Sequence, residues 1–202
     1  NTNETSSEKF YNSLVVVNNK FEILYKYNKK KLVPFGEFLP FNNFLEKFGL
    51  KKITYGYGSF SKGQKQENFK LKNLNILPLI CYEIIFPNLT QNSDKKTNVI
   101  VNISEDAWFG DSIGPHQHFT KAIFRSIENN TYVIRSANKG FSAFINNNGN
   151  VLKLIKSNEA GNIELEVPLL KVFSKNRNDL IFFILLITYT LIFSIMRNLE
   201  NK

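Results

Sequence analysis

Apolar residues recur along this chain in two rhythms, a strand-like one and a helix-like one. Residues 11–17 (YNSLVVV) predict a buried strand, and Asn18-Asn19-Lys20 supplies a turn after it. Residues 21–27 (FEILYKY) alternate loosely and predict its hairpin partner. The next stretch is punctuated by Pro34 and Gly36 and reads as a loop. Phe41, Phe44, Leu45 and Phe48 then fall at helical spacing before Gly49, a C-terminal stop. Residues 51–70 mix Gly, Ser, Lys and Gln and predict an exposed loop. The runs at 74–80 (LNILPLI) and 99–103 (VIVNI) predict strands, with Pro78 limiting the ladder of the first. Over residues 116–129, Phe119, Ala122, Ile123 and Ile127 share one helical face. Strands follow at 132–135 and 141–145, an Asn148-Gly149 hairpin turn leads into 151–155, and 163–167 is a last strand. Strands interleaved with helices predict an α/β chain or a layered α-β sandwich, without internal repeats.

The tail breaks with this pattern. Residues 180–196 (LIFFILLITYTLIFSIM) carry no charge and lie between Asp179 and Arg197. At about 1.5 Å per residue they reach about 26 Å, just short of a hydrocarbon core of about 30 Å. A buried core helix would need apolar neighbours on every side, which a domain this small hardly offers at its extreme end. A helix over residues 178–198 crossing or embedded in a membrane is the expectation. Lys171, Lys175 and Arg177 on one side and Arg197 and Lys202 on the other leave its direction unset.

Composition narrows the picture only modestly. At 202 residues and 43% hydrophobic, the chain suits one domain with a sizeable core. It opens on Asn1 with no signal-peptide layout, so processing or a beginning elsewhere is expected. The formal charge is +9, but the lysines are dispersed among asparagines, with no basic helix face or Arg-rich groove. That argues against nucleic acid as a partner and for a solvated surface favouring anionic lipid headgroups. A single cysteine excludes an internal disulfide and any multi-cysteine metal site.

Position makes that cysteine a candidate. Cys81 directly follows the apolar run 74–80, where a strand end would hold a thiol rigidly while leaving it accessible, and a following turn would offer N–H groups to an oxyanion. A lone cysteine is also commonly a small buried hydrophobe. Lys29 could supply a positive charge to a tetrahedral intermediate, or Lys29-Lys30-Lys31 could be an exposed basic turn. Glu37 and Glu83 could act as bases, orient the lysine, or be surface charges. His116 and His118, one residue apart, make a poor metal pair; structural or hydrogen-bonding roles fit them better.

Three ordered segments change these odds. Residues 27–40 (YNKKKLVPFGEFLP) resemble the catalytic-lysine segment of the bacterial apolipoprotein N-acyltransferases, and 79–84 (LICYEI) resemble that family's nucleophile segment. The third match is 102–112 (NISEDAWFGDS), running on to Gly114-Pro115-His116-Gln117-His118. The resemblance covers nearly the whole chain and includes the single C-terminal helix. It implies a nitrilase-type α-β-β-α sandwich over residues 1–172, lacking its first strand or strands, then the transmembrane helix. It also implies a Glu-Lys-Cys triad and no cofactor. Cys81 would take an acyl chain from a phospholipid donor as a thioester and pass it to the α-amine of a diacylglyceryl-modified apolipoprotein N-terminus. Lys29 would stabilise the oxyanion, the glutamate matching Glu37 would assist, and the positions of Tyr82 and Glu83 would matter for activity. The implied location is the bacterial inner membrane, with the globular part facing the periplasm.

The chain departs from the family in places. The family's triad glutamate lies on an early strand upstream of the lysine segment, and neither Glu4 nor Glu8 sits in such a motif. Its multi-helix N-terminal membrane region is also missing, which makes a separate N-terminal membrane portion a conceivable partner and a weak or inactive isolated chain the expectation. Lys31 stands where the family often has histidine and Glu105 where it often has asparagine. Two rival readings stay open: an amidase or nitrilase that sends the acyl group to water, and a non-catalytic membrane-bound remnant. The face of Phe41, Phe44, Leu45 and Phe48 reads either as core or as a bilayer-facing lid for acyl chains.

Overall fold

The computed structural model describes residues 9–41, 59–91, 97–166, 168 and 179–200. Strands β1 (Ser13–Val17) and β2 (Ile23–Asn28) pair antiparallel, with Leu14 opposite Tyr27 and Ser13 opposite Asn28. The predicted turn between them is built by Asn18, whose side-chain oxygen accepts from the N–H groups of Lys20 at 2.9 Å and Glu22 at 3.0 Å.

The second sheet runs in the order β3 (Phe69–Leu71), β4 (Leu74–Ile80), β5 (Val99–Glu105), β6 (Tyr132–Asn138), β7 (Ser142–Ile145) and β8 (Val151–Ile155). β4, β5 and β6 are parallel, and the outer pairs are antiparallel. Parallel neighbours need crossovers. The link from β4 to β5 contains a 3-10 turn (Cys81–Ile85) and the short helix α1 (Pro87–Gln91); that from β5 to β6 contains helix α2 (Gly114–Asn129). Pro115 sits in the first turn of α2, where its missing N–H is harmless, and Asn130 ends the helix at φ 49°. Pro78 is tolerated because β3 begins at Phe69, opposite Ile76, and pairs only with residues 74–76, leaving that edge of β4 with no β3 ladder bond to lose at Pro78.

Register and the two-residue period of strands stack two rows of side chains under α2. Leu77, Ile100, Val133 and Ile145 lie opposite one another across four strands and form an apolar row, all fully buried. Ala122 of α2 closes this core, with Phe119 and Ile123 packed against it. Burial of each large side chain contributes roughly 1.5–3 kcal/mol. One step along, the row reads Leu79, Asn102, Arg135 and Ala143, so a polar pair enters the layer between sheet and helix. Cys81 follows two residues beyond Leu79, at the end of that layer.

Two expectations change. Residues 69–71, at the edge of the supposed loop, pair with β4 through a tight turn in which Lys72 takes φ 51°. The strand foreseen at 163–167 does not form over residues 163–166. Ile163 and Leu165 are half-buried and Glu164 and Glu166 exposed, so the alternation is real, but a strand needs a ladder partner and none pairs with it among the described residues. The helix foreseen around Phe44, Leu45 and Phe48 lies outside the described residues; Phe41 itself is exposed. Helix α3 (Asp179–Glu200) contains the foreseen apolar stretch. Its 20 residues Leu180–Leu199, unburied throughout, span about 30 Å and are long and apolar enough to cross a membrane.

A glycine sets one close approach. Gly63 donates its N–H to the Lys29 carbonyl at 2.8 Å, and a Cβ at residue 63 would stand 2.0 Å from the Asn28 carbonyl oxygen. Gly63→Ala is therefore expected to cost about 1–3 kcal/mol in thermal melts. Gly161→Ala, whose Cβ would make an ordinary 3.4 Å contact with Ile155, should stay within about 0.5 kcal/mol.

Candidate active site

Cys81 is the first residue past β4 and starts the 3-10 turn, with φ 51°. This left-handed conformation costs a non-glycine residue about 1–2 kcal/mol, so surrounding contacts must enforce it. The thiol is half-buried rather than sealed, and its Sγ makes a weak 3.9 Å contact with the Glu105 carbonyl at the end of β5. Tyr82 meets Phe86 edge to face at 5.0 Å.

Lys29 is the first residue past β2 and is almost fully buried. Its backbone is pinned from both sides, its N–H donating to Asn12 and its carbonyl accepting from Gly63, each at 2.8 Å. One of the ammonium's three N–H groups meets Glu37 Oε1 at 2.9 Å. Glu37 in turn accepts from Asn12 Nδ2 at 2.8 Å and from the Val33 N–H at 2.9 Å. The basic turn inferred from three consecutive lysines is thus not uniformly exposed; its first member points inward.

Glu83, on the 3-10 turn, is buried completely and accepts four hydrogen bonds. Oε1 receives the Tyr27 hydroxyl at 2.9 Å and the N–H groups of Lys30 at 2.7 Å and Lys31 at 2.9 Å. Oε2 receives the Ile80 N–H at 2.8 Å. One carboxylate therefore holds the backbone just after Lys29 and just before Cys81. Burial pushes its pKa up, against the pull of the N–H groups of Ile80, Lys31 and Lys30 and of the Tyr27 hydroxyl. Tyr27 is itself raised, by burial first and then by the Glu83 charge, so the phenol stays a donor.

A second buried polar cluster also reaches Cys81, through its carbonyl. Asp106 Oδ2 meets Arg135 Nη2 at 2.7 Å, and Oδ1 receives the Ser104 hydroxyl at 2.6 Å and contacts His118 Nδ1 at 2.9 Å. Arg135 also donates to Asn102, its partner across the sheet, and His118 Nε2 lies 3.3 Å from the Cys81 carbonyl oxygen. Burial works against the Asp106 charge, but the His118 hydrogen bond, Arg135 and Ser104 outweigh it and bring the pKa down to about 2. His116 serves a different neighbour, meeting Phe141 edge to face at 4.7 Å.

Of the five residues singled out beforehand, Lys29 and Glu37 form one contact pair, and Glu83 joins the lysine segment to the Cys81 turn. Tyr82 stands beside the thiol in sequence but packs on an aromatic neighbour. Sequence reasoning passed over Tyr27, Asn12, Asn102, Asp106 and Arg135 as site residues. Asn102 and Asp106 stood inside a recognised segment, and two-residue periodicity from Val133 places Arg135 facing inward; nothing local marked Tyr27 or Asn12.

The family model described as carbon-nitrogen hydrolase matches residues 2–172. Among curated relatives, the apolipoprotein N-acyltransferase of Rhizobium rhizogenes is 39% identical over 157 residues, covering 77% of this chain and 30% of its own length. That of Rickettsia prowazekii is 38% identical over 161 residues, 79% of this chain and 32% of its own. The chain thus spans about a third of the length of these relatives. Among solved structures, Saccharomyces cerevisiae Nit3, a member of branch 10 of the nitrilase superfamily, aligns with a TM-score of 0.56 at 20% identity over 74% of this chain and 51% of its own. A carbon-nitrogen hydrolase superfamily protein from Xanthomonas campestris gives 0.55 at 18% identity, over 74% of this chain and 54% of its own. At such identities the likeness speaks for the α/β fold with its mixed sheet.

Two outcomes follow from the buried carboxylates. Glu83→Gln turns an acceptor into an N–H₂ group facing N–H donors, so thermal melts should show a loss of about 1–3 kcal/mol. Asp106 has its folded pKa at about 2, below the ordinary 3.8. Its charge therefore stabilises the fold above about pH 4, and that contribution fades as pH falls through about 2. The Tm gap between the parent and Asp106→Asn should be widest at neutral pH and close on acidification over that window.

Proposed function

The chain belongs to the carbon-nitrogen hydrolase family, and we propose that it carries the acyl-transfer site of an apolipoprotein N-acyltransferase. The observation that supports this best is the buried Lys29 ammonium and the half-exposed Cys81 thiol on backbone segments held by one carboxylate. The names of the relatives supply the reaction class, and α3 supplies a means of holding the site at a bilayer.

In this reading the Cys81 thiolate attacks the ester carbonyl of a phospholipid. The oxyanion that forms is met by the N–H groups of the Lys29 ammonium not engaged by Glu37. Collapse breaks the ester C–O bond, the lysophospholipid oxygen takes up a proton, and a thioester remains on Cys81. The neutral α-amine of a diacylglyceryl-cysteine then attacks, its nitrogen gives up a proton to the base that earlier took the thiol proton, the new amide forms, and the thiolate leaves. Glu37 orients the lysine. Glu83 positions both segments, its oxygens being taken up by four donors; the base that takes the thiol proton comes from outside the described residues. Tyr82 borders the thiol. Residues 1–172 form the transfer domain and α3 its anchor in the bacterial inner membrane, with the globular part on the periplasmic side.

Incubation of the detergent-solubilised protein with phospholipid should yield an acyl adduct on Cys81 by intact mass, absent in Cys81→Ser. Lys29→Met should slow its formation about 10²–10³-fold. The adduct should then discharge onto a diacylglyceryl-cysteine lipopeptide faster than to water. A parent without an adduct overturns the reading; discharge to water alone makes the chain a hydrolase.

A further inference from the structure

Nothing in the acyl-transfer scheme uses His118, yet it reaches the nucleophile's own peptide unit. The carbonyl oxygen of Cys81 can only accept, so His118 Nε2, 3.3 Å away, meets it as an N–H donor. The ring is not free to turn. Its Nδ1 lies between Asp106 Oδ1 at 2.9 Å and Arg135 Nη2 at 3.1 Å, and that carboxylate is tied to Arg135 at 2.7 Å and Ser104 at 2.6 Å. Asp106, Arg135 and His118 are all buried, so each of these bonds forms away from water and none is readily exchanged for a solvent contact.

The peptide unit they reach needs holding. Cys81 stands at φ 51°, a conformation that L residues avoid and that local sequence preference does not supply. Glu83 fixes the N–H of Ile80 on one side of the thiol; His118 meets the carbonyl on the other. With the chain gripped one peptide unit before the cysteine's own and again at the Cys81 carbonyl, the direction of the Cα–Cβ bond, and hence of the thiol, is set by the scaffold.

We propose that His118 is a positioning residue of the nucleophile: its Nε2–H, aimed by the buried Asp106–Arg135 pair, holds the Cys81 carbonyl and thereby fixes how the thiol is presented. This rests on Cys81 being the reacting group.

The test uses the whole protein in detergent and a thiol probe, iodoacetamide, that needs no acyl donor. In ¹⁵N-histidine spectra, assigned with His116→Gln, His118 Nε2 should carry a proton at neutral pH; a bare Nε2 overturns the proposal. His118→Phe should slow alkylation of Cys81 about tenfold, and His118→Gln, whose side-chain N–H can reach the same carbonyl, should restore it to within about threefold. Both variants lose the Asp106 contact and melt lower, so a purely structural role would leave their rates alike. Alkylation within about twofold of the parent in both variants also overturns it. Should His118→Phe fail to fold, the Nε2 spectrum and the His118→Gln rate decide the matter. A parent that alkylates readily but takes no acyl group from phospholipid counts against the acyl-transfer reading alone.

Discussion

The site depends on one buried carboxylate. Glu83 gathers the Tyr27 hydroxyl and the N–H groups of Lys30, Lys31 and Ile80, donors from segments some fifty residues apart. Burial opposes the charge of such a group, and hydrogen bonding offsets that opposition only when its acceptor positions are filled. Each donor therefore has to arrive together with the others, which makes the arrangement cooperative. The chain leaving β2 and the chain leaving β4 can meet at Glu83 in one way.

Around this tie the polar and apolar parts of the domain are separated by strand register. The apolar row from Leu77 to Ile145 supplies the hydrophobic stabilisation, and the adjacent row carries Asn102 and Arg135. Two residues of advance along the strands take the layer from hydrocarbon to the polar Asn102–Arg135 pair, and two more reach Cys81. The charges of the second cluster are thus buried by the same helix that covers the core, and Asp106 is stabilised as an anion by partners rather than by water. A rigid, dry floor of this kind suits a thiol whose orientation matters more than its mobility.

Lys29 shows how context changes a residue's meaning. In the sequence it is one of three consecutive lysines, ordinarily a solvated turn. In the fold, Gly63 and Asn12 clamp its backbone, and Glu37 draws its ammonium inward. Lys31 leans over the Phe86 ring at 5.5 Å, the same ring that Tyr82 meets edge to face. A run of identical residues is thereby divided into different tasks by which backbone N–H and carbonyl groups happen to be engaged.

Much of this protein was legible beforehand, because strand and helix periodicity record which faces are buried. The runs at 74–80 and 99–103, the face of α2, the Asn148-Gly149 hairpin and the charge-free tail all declared themselves through local pattern. The segments around Lys29, Cys81 and Asn102 carried the family resemblance. What local pattern could not decide was partnership at long range. Residues 163–166 keep a strand's alternation yet form none, since a ladder requires a neighbour that only the tertiary fold provides. The tasks of Glu83, Tyr27, Asp106 and Arg135 were equally hidden: a carboxylate or guanidinium looks the same in sequence whether it faces water or four buried donors. Sequence by itself determined the elements and the identity of the reactive thiol and ammonium candidates. Tertiary structure alone decided which hydrogen-bond donors fill which buried acceptors, because that depends on chain segments brought together by packing rather than by adjacency.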